Sequence, residues 1–301
     1  MNLPLGIDIN YLIDDLRKFS WEAADILLYY SNQFRNEKQK KDLVQIKDNN
    51  EPVTLADLKV NELIIKRISE KYQKINWNLL SEENGIIKFN DKNIKTNWLW
   101  VLDPLDGTKD FIQKTGNYAL HLALNYKNKP KLGVVLIPER GELWISNNDN
   151  VWCEDRDGSK TKTQLFLSDR KEICKMRLVT SKNHNNQVLK NIIQKIGFKE
   201  SINMGSVGCK IASILRGESD IYISLSLPMQ SSPKDWDFAA PEALLKTAGG
   251  VITNLDNEEL NYNKPNFEQK GMIIASNNKE NHKNICKQIK LTLKENKICI
   301  D

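Results

Sequence analysis

Two aspartates directly follow a run of large apolar residues and are the first candidates for chemistry. The run covers residues 98–102, and Asp103, Asp106 and Gly107 come shortly after it. Five apolar residues bounded by turn formers predict a strand buried on both faces, although a piece of buried helix has the same pattern. We therefore expect both carboxylates in a tight loop at the carboxyl end of a core strand, where open α/β sheets bind ligands.

Two carboxylates three residues apart at the edge of a core repel each other, by about 4 kcal/mol at about 4 Å and an effective dielectric constant of about 20. A proton, a basic side chain or a hard cation would offset this repulsion. Carboxylate oxygens with the Leu105 carbonyl between them suit Mg2+ or Mn2+, and Thr108 adds a hydroxyl. The alternative is a turn whose aspartates cap backbone amides. This segment alone leaves both interpretations open.

Other acidic residues lie at predicted element ends. Glu82 and Glu83 follow two apolar residues and precede a glycine, which predicts a second strand ending in carboxylates. Asp57 falls in the first turn of a predicted helix with Thr54 as N-cap, where it could simply complement the helix dipole. Asp237 directly precedes a predicted helix at 238–247, so it is either an N-cap or a metal ligand from the second half of the chain.

The composition is ordinary for a folded protein, with 40% hydrophobic and 28% charged residues among 301. Basic residues exceed acidic ones by 44 to 39, but they are scattered and form no stripe interleaved with aromatic residues. We interpret the excess as a solvated surface that favours a small anionic substrate over nucleic acid. No apolar run approaches the roughly 18 residues of a membrane span, and no signal-peptide pattern is present, so we expect a cytoplasmic protein.

The cysteines and histidines argue against several other kinds of site. The five cysteines are odd in number, widely spaced and without a C-x-x-C pair, which indicates reduced thiols and not a disulfide framework. The three histidines, at positions 121, 184 and 282, are far apart in sequence. Neither a zinc site nor a histidine-based triad is therefore favoured.

Apolar spacing predicts helices followed by a largely antiparallel sheet in the first half of the chain. The predicted helices cover residues 10–34 and the segment after Thr54, and the later strands cover 118–124, 132–137 and 142–145. The highly charged segment 35–42 is interpreted as a solvated linker, with a basic flap over an anionic substrate as the alternative. Residues 147–168 are polar, and we place a domain boundary near their end.

The second half alternates between strands and helices, which is typical of a layered α/β domain. We predict strands at 177–180, 221–224, 251–254 and 272–275, and helices at 185–196, 209–216, 238–247 and 278–293. The predicted domains are therefore 1–170, with most of the candidate metal ligands, and 171–301, with Asp237 and a substrate pocket.

Three separated motifs now form a recognisable set: the acidic pair at 82–83, D-P-L-D-G-T at 103–108 and W-D-x-A-A at 236–240. In this order they resemble the lithium-sensitive, magnesium-dependent phosphatase superfamily of inositol monophosphatases, fructose-1,6-bisphosphatases and bisphosphate nucleotidases. The similarity runs from the first helix to about residue 290. It implies an α/β (α+β) fold, a layered αβαβα sandwich.

Within this superfamily the chain is most similar to 3′(2′),5′-bisphosphate nucleotidases. Lys109 follows the D-P-L-D-G-T block, and segments 48–57 and 236–244 resemble the nucleotidase versions. Inositol monophosphatases carry an inositol-binding glutamate just after the strand near Tyr222, where this chain has Ser224. That departure argues against inositol phosphate as the substrate.

The resemblance also implies roles for individual residues. Glu82, Asp103 and the Leu105 carbonyl would hold a first metal ion, and Asp103 would bridge to a second ion held also by Asp106 and Asp237. The cofactor would be two to three Mg2+ ions, with Mn2+ as a substitute and Li+ as an inhibitor. Such ions would neutralise phosphoryl charge and lower the pKa of a water.

The remaining implied roles concern water and substrate. Thr108, with Asp57 or Glu82, would orient and deprotonate the attacking water, and the amides of Gly107 and Thr108 would hold the scissile phosphate. The segment 205–210 resembles one that lines the substrate pocket, and from it we predict substrate contacts by Ser206 and Lys210.

The implied reaction is hydrolysis of the 3′-phosphate of 3′-phosphoadenosine 5′-phosphate to AMP and phosphate, as recycling of a sulfate-assimilation by-product. The 3′-phosphoadenosine 5′-phosphosulfate analogue would be a further substrate. The alternatives are an inositol monophosphatase or sugar bisphosphatase and, from another class, a non-catalytic basic nucleic-acid-binding protein. We expect a monomer or homodimer with a small anionic nucleotide as its partner.

Overall fold

A computed structural model describes residues 3–34, 44–46, 52–89, 95–159, 167–182, 187–229, 231–262, 264–296 and 298. The predicted linker or flap at 35–42 lies outside the described residues, as do His184 and Cys299. The described helices are α1 (Ile9–Gln33), α2 (Leu55–Lys71), α3 (Thr108–Gln113), α4 (Gln187–Ile196), α5 (Val207–Leu215), α6 (Asp235–Thr247) and α7 (Lys279–Glu295).

The described strands form a two-stranded, a seven-stranded and a five-stranded sheet. The strands are β1 (Val44–Ile46), β2 (Pro52–Thr54), β3 (Asn78–Ser81), β4 (Gly85–Lys88), β5 (Trp98–Asp106), β6 (Ala119–Tyr126), β7 (Lys129–Ile137), β8 (Glu142–Ser146), β9 (Val151–Glu154), β10 (Arg177–Ser181), β11 (Glu200–Met204), β12 (Ile221–Ser226), β13 (Val251–Asn254) and β14 (Gly271–Ser276).

The seven-stranded sheet has the order β4-β3-β5-β6-β7-β8-β9 and is antiparallel except for the parallel pair β3 and β5. The five-stranded sheet has the order β11-β10-β12-β14-β13. In it β10 is parallel to β11 and β12, and β14 is antiparallel to both of its neighbours. The first sheet agrees with the predicted antiparallel character of the first half.

Strand β5 shows how the two sheets and the helices form layers. Successive residues of a strand point to opposite faces, and both faces of β5 are buried, as predicted. Trp100 and Leu102 pack with α1 and α2, whereas Val101 faces the apolar cluster that contains α5 and α6. That second cluster also contains residues of the five-stranded sheet, such as Tyr222.

The far face of the five-stranded sheet completes the sandwich. Ile223 of β12 packs there with Ile192 of α4 and Ile289 of α7. The order of layers is therefore α1 and α2, the seven-stranded sheet, α5 and α6, the five-stranded sheet, then α4 and α7. This arrangement confirms the predicted layered αβαβα sandwich.

Three edge strands of the two large sheets, β4, β9 and β11, were not predicted from the sequence. Strand β9 lies in the segment interpreted as polar, and β11 has exposed or half-buried residues at all but its last position. All three lie at the edge of a sheet, where one side has no neighbour among the described strands. Because such strands bury less apolar surface, their sequences lack the pattern that marks a core strand.

No helix in the described ranges is long and apolar enough to cross a membrane. Among the described cysteines all four are free, namely Cys153, Cys174, Cys209 and Cys286, as predicted for them. The division at residue 170 remains a prediction. The two large sheets do lie on either side of it in sequence, with β9 ending at Glu154 and β10 beginning at Arg177.

Candidate metal centre

Three aspartates come together where β5 meets the layer formed by α5 and α6. Asp103, Asp106 and Asp237 each offer a carboxylate oxygen, and these three oxygens lie within 4.8 Å of one another. This is the only group of three or more potential metal ligands in the part of the chain that the structure describes. The fold thus joins two neighbouring acids with one that is 131 residues further along the sequence.

An irregularity in β5 allows Asp103 and Asp106 to share one side of the sheet. In a regular strand, residues three apart point to opposite faces. Here Asp103 pairs with His121 and Asp106 pairs with Ala119, so β5 uses one residue more than β6 over this stretch. Pro104 has no N–H for the ladder, and the extra residue forms a bulge that redirects the following side chain. The expected loop was therefore wrong, because the strand continues to Asp106.

The turn after β5 brings Thr108 to Asp57. Gly107 has φ +91°, a left-handed conformation that side chains disfavour, and it precedes α3. The Thr108 hydroxyl lies 3.2 Å from the Leu105 carbonyl oxygen and 3.3 Å from Asp57 Oδ1. The Leu105 amide donates to Asp103 Oδ1 at 3.0 Å, which fixes the segment between the two aspartates.

Asp57 is shared between helix capping and the site. It lies in the first turn of α2, where its Oδ2 accepts hydrogen bonds from the Thr54 amide at 2.8 Å and the Thr54 hydroxyl at 2.5 Å. Its Oδ1 faces Thr108. Burial raises the pKa of Asp57 to about 7, and the charges of Glu82 and Glu83 act in the same direction. One carboxylate oxygen of Asp57 therefore takes part in the helix cap, and the other faces Thr108 in the site.

Glu82 lies close to the cluster without joining it. Its amide donates to the Leu102 carbonyl at 3.1 Å, so the residue follows β3 directly beside β5. Its charge is the largest electrostatic effect, after burial, that raises the pKa of Asp103. Its carboxylate is not among the three that converge within 4.8 Å.

The converging carboxylates fit a hard cation. Burial, followed by the charges of Glu82, Asp106 and Asp237, raises the pKa of Asp103 well above its ordinary value. A bound cation would remove this repulsion, and a site of carboxylate and carbonyl oxygens suits Mg2+ better than a softer metal. The carboxylates of Asp103, Asp106 and Asp237, which the sequence predicts as metal ligands, are thus suited to a hard cation in the positions where the structure places them.

The first turn of α5 holds Asp106. Ser206 is the N-cap of this helix: its hydroxyl accepts a hydrogen bond from the Cys209 amide at 3.2 Å and donates to Asp106 Oδ2 at 2.7 Å. The Val207 amide donates to the same oxygen. No described residue donates to Asp106 Oδ1, so one oxygen is fixed by the helix and the other can face a cation.

Ser206 and Lys210 were predicted to contact substrate, and both side chains are buried in the structure. The Lys210 Nζ donates to the Gly205 carbonyl and lies 5.3 Å from the centre of the Tyr222 ring. Burial lowers the pKa of Lys210, whereas the charges of Asp106 and Asp237 raise it. Both residues therefore lie against the acidic cluster, and their role as substrate contacts stays a prediction.

Asp237 is not an N-cap. Helix α6 begins at Asp235, three residues earlier than predicted, and Lys234 is at the N-cap position. Asp237 Oδ2 accepts a hydrogen bond from the Lys234 amide at 2.5 Å, as an acid in the first turn often does. The sequence pattern was misleading because Asp235 and Asp237 belong to the first turn of the helix, whereas its run of buried apolar residues begins only at Phe238.

His121 was missed by the sequence analysis. It lies in β6 directly opposite Asp103, and its Nε2 is 3.3 Å from Asp106 Oδ2. The Gly208 amide donates to the same Nε2, so that nitrogen carries no proton. Burial lowers the pKa of His121 against the opposite effect of Asp106. The available signal was a single polar residue within the otherwise apolar segment 118–124 that was predicted as a strand.

Comparison with known proteins agrees with this site. The sequence pattern of the inositol monophosphatase family matches residues 13–293. A 3′(2′),5′-bisphosphate nucleotidase CysQ of Buchnera aphidicola is 33% identical over 237 residues, which cover 78% of this chain and 80% of that protein. The nucleotidase CysQ of Aggregatibacter actinomycetemcomitans is 31% identical, over 85% of this chain and 91% of the relative.

The fold is also shared with solved structures. The extragenic suppressor protein suhB of Bartonella henselae superposes with a TM-score of 0.74 at 21% identity, over 93% of this chain and 98% of that one. Because the family pattern covers most of the sequence and the fold agrees, this chain belongs to the inositol monophosphatase family.

Proposed function

We propose that the protein is a Mg2+-dependent phosphatase that removes the 3′-phosphate of 3′-phosphoadenosine 5′-phosphate, giving AMP and phosphate. The observation that carries this proposal is the convergence of Asp103, Asp106 and Asp237 beside the Thr108–Asp57 pair. The nucleotide is chosen because the two curated relatives described above are bisphosphate nucleotidases by name. Ser224 supports the choice, since it supplies no carboxylate on β12.

The three aspartates would hold Mg2+, with the Leu105 carbonyl and Glu82 as further ligands. Bound Mg2+ supplies charge neutralisation on the phosphoryl oxygens and a lower pKa for the attacking water. The chain itself orients that water. The Thr108 hydroxyl can donate to Asp57 Oδ1 and accept from the water, which passes the water's proton toward a carboxylate whose pKa of about 7 suits a general base.

The substrate phosphate is proposed to bind the amides of Gly107 and Thr108, where α3 begins. We further propose Mn2+ as a substitute metal, Li+ as an inhibitor and the phosphosulfate analogue as a second substrate. A role in recycling the nucleotide by-product of sulfate assimilation and a cytoplasmic location are parts of the same proposal. Whether the protein is a monomer or a homodimer stays a prediction.

The test is phosphate release in Mg2+ from three substrates at equal concentration: 3′-phosphoadenosine 5′-phosphate, inositol 1-phosphate and fructose 1,6-bisphosphate. We expect a strong preference for the nucleotide, and loss of turnover in Asp103→Asn with the fold retained. Asp15→Asn is a suitable control, because Asp15 is also buried but contacts Tyr72, away from the cluster. Preference for another substrate would overturn the nucleotide assignment. Release from none of them would overturn the catalytic one.

A further inference from the structure

His121 lies between the segments that position Asp106 and Asp237, two of the candidate metal ligands. It extends from β6 toward the layer of α5 and α6, a face of the strand that otherwise carries the apolar residues Ala119 and Ala123. Its side chain is completely buried. A buried polar ring in such surroundings destabilises the fold unless both nitrogens find hydrogen-bond partners.

Both nitrogens have partners, and the partners fix the tautomer. The Gly208 amide can only donate, and it lies 3.1 Å from Nε2, so Nε2 accepts. The Trp236 carbonyl can only accept, and it lies 3.4 Å from Nδ1, so Nδ1 carries the proton. The ring is therefore a neutral bridge, and its 3.3 Å approach to Asp106 Oδ2 is not an ion pair.

Each end of this bridge acts on one metal-binding aspartate. Gly208 belongs to the first turn of α5, the turn whose N-cap hydroxyl and Val207 amide hold Asp106. The Trp236 carbonyl belongs to the peptide group that contains the Asp237 nitrogen. Fixing that group orients the first turn of α6 from which Asp237 projects. One side chain thus connects the segments that carry Asp106 and Asp237.

The packing around Gly208 shows that α5 is fitted to this ring. A Cβ atom at residue 208 would lie 2.3 Å from His121 Nε2 and 2.7 Å from a Val135 methyl carbon. The absence of a side chain there lets the helix backbone approach the imidazole closely. The ring and the glycine together set the distance between β6 and the start of α5.

We propose that His121 is a positioning residue that holds Asp106 and Asp237 at the spacing needed to bind a shared divalent cation. The inference rests on the proposed metal site, but it does not depend on the identity of the substrate. It assigns His121 no proton transfer and no direct contact with the cation. Its effect on turnover comes through metal affinity.

The test measures Mn2+ binding to the metal-free protein without substrate, using the electron paramagnetic resonance signal of free Mn2+. The variant His121→Phe keeps a ring of similar size and removes both hydrogen bonds. We expect its Mn2+ affinity to fall about 10- to 100-fold, the range for lost partners of metal ligands, with a similar rise in the Mg2+ concentration for half-maximal rate. The KM for nucleotide at saturating Mg2+ should change much less.

The matched control is His282→Phe, because His282 is also a buried histidine with both ring nitrogens hydrogen-bonded, to Thr253 and Ser276. It should lose stability while binding Mn2+ as the wild type does. Equal Mn2+ affinities for His121→Phe and His282→Phe would overturn the proposal. So would a wild-type protein that binds no Mn2+. If the wild type bound Mn2+ but released no phosphate from the nucleotide, the proposed function would be wrong, whereas the positioning role of His121 would still stand or fall with the Mn2+ affinities.

Two further variants keep the test decisive if His121→Phe does not fold. In His121→Asn the side-chain amide can donate to Trp236 in place of Nδ1, and in His121→Gln the side-chain oxygen can accept from Gly208 in place of Nε2. Each keeps one end of the bridge, so each should weaken Mn2+ binding less than the complete removal does. Wild-type affinity in both variants would overturn the proposal.

Discussion

The Thr108 hydroxyl lies 3.3 Å from Asp57 Oδ1, although the two residues are 51 positions apart in the chain. The opposite oxygen of the same carboxylate accepts two hydrogen bonds from Thr54. The helix cap therefore fixes the orientation of Asp57, and with it the direction in which its free oxygen meets Thr108. In the proposed reaction, one oxygen of Asp57 caps the helix and the other acts as the general base.

Thr108→Val should lower kcat by about 100-fold or more, because it removes the hydroxyl that passes a proton to Asp57 while keeping the side-chain volume. Thr108→Ser keeps the hydroxyl and should retain most of the activity. The measurement is kcat at saturating Mg2+ and nucleotide, with circular dichroism to confirm folding. A Thr108→Val protein with the wild-type rate would exclude the proposed proton path.

Gly107→Ala should disrupt the turn that follows Asp106. The backbone has φ +91°, and an added Cβ would lie 2.9 Å from the Asn117 carbonyl oxygen and 3.2 Å from the Ser206 nitrogen. We expect the free energy of unfolding to fall by about 1–3 kcal/mol, with loss of activity. Urea denaturation and phosphate release would measure both effects.

The control for this change is Gly141→Ala. Gly141 also has a positive φ, of +63°, but a Cβ there would meet no atom within 4 Å. It should reproduce the backbone strain without the steric clash and without loss of activity. If both variants lost activity equally, the close contacts of Gly107 would not be the cause.

Ser206→Ala distinguishes a positioning role from the predicted substrate contact. The change removes the N-cap of α5, which should lower the free energy of unfolding by about 0.5–2 kcal/mol, and it also removes the hydrogen bond to Asp106. Because the hydroxyl is buried against Asp106, we expect a rise in the Mg2+ concentration required and little change in the KM for nucleotide. The opposite pattern would establish Ser206 as a substrate contact.

Asn278→Ala provides the comparison for Ser206→Ala. Asn278 is the N-cap of α7, where its side chain accepts a hydrogen bond from the Asn281 amide at 3.1 Å. Its loss should destabilise the fold to a similar degree and leave the Mg2+ requirement unchanged. Urea denaturation of the two variants measures the stability lost with the N-cap. Mg2+ titration shows whether the loss of the hydrogen bond to Asp106 has a separate effect on metal binding.

Local sequence patterns identified the core strand that leads into Asp103 and the N-cap at Thr54, because both depend on neighbouring residues. The bulge in β5 was not predictable in the same way. It arises from the register of β5 against β6, in which Asp103 lies opposite His121 and Asp106 lies opposite Ala119, and this register exists only once the sheet has formed. A motif therefore identified the acids, but not the geometry that turns Asp103 and Asp106 to one side.

The surroundings of the acids depend on tertiary packing. Ser206 and Lys210 are polar residues of a type that usually contacts solvent or ligand, yet α5 lies between two sheets and buries both. His121 was overlooked because its partners, Gly208 and Trp236, come from two other elements. Hydrogen bonds between residues so far apart in the sequence form only when the layers of the fold pack together.

The stability of the protein should decrease between pH 6.5 and pH 4 because of His282. Burial lowers the pKa of His282 from its ordinary value of 6.5 to about 4. The folded state therefore favours the neutral ring, so its full contribution is present above pH 6.5 and is lost as the pH falls toward 4. The loss should reach about 2–3 kcal/mol by pH 4.5, measured by urea denaturation.

His282→Gln isolates this contribution from the other groups that titrate in the same range. The glutamine cannot take up a proton, so the variant should be less stable than the wild type at pH 7 but should lose less stability on acidification. The difference between the two proteins should therefore narrow by about 2–3 kcal/mol from pH 7 to pH 4.5. A stability difference between the two proteins that stayed constant with pH would mean that the hydroxyls of Thr253 and Ser276 accept hydrogen bonds from a protonated ring. The neutral state assigned to His282 would then be wrong.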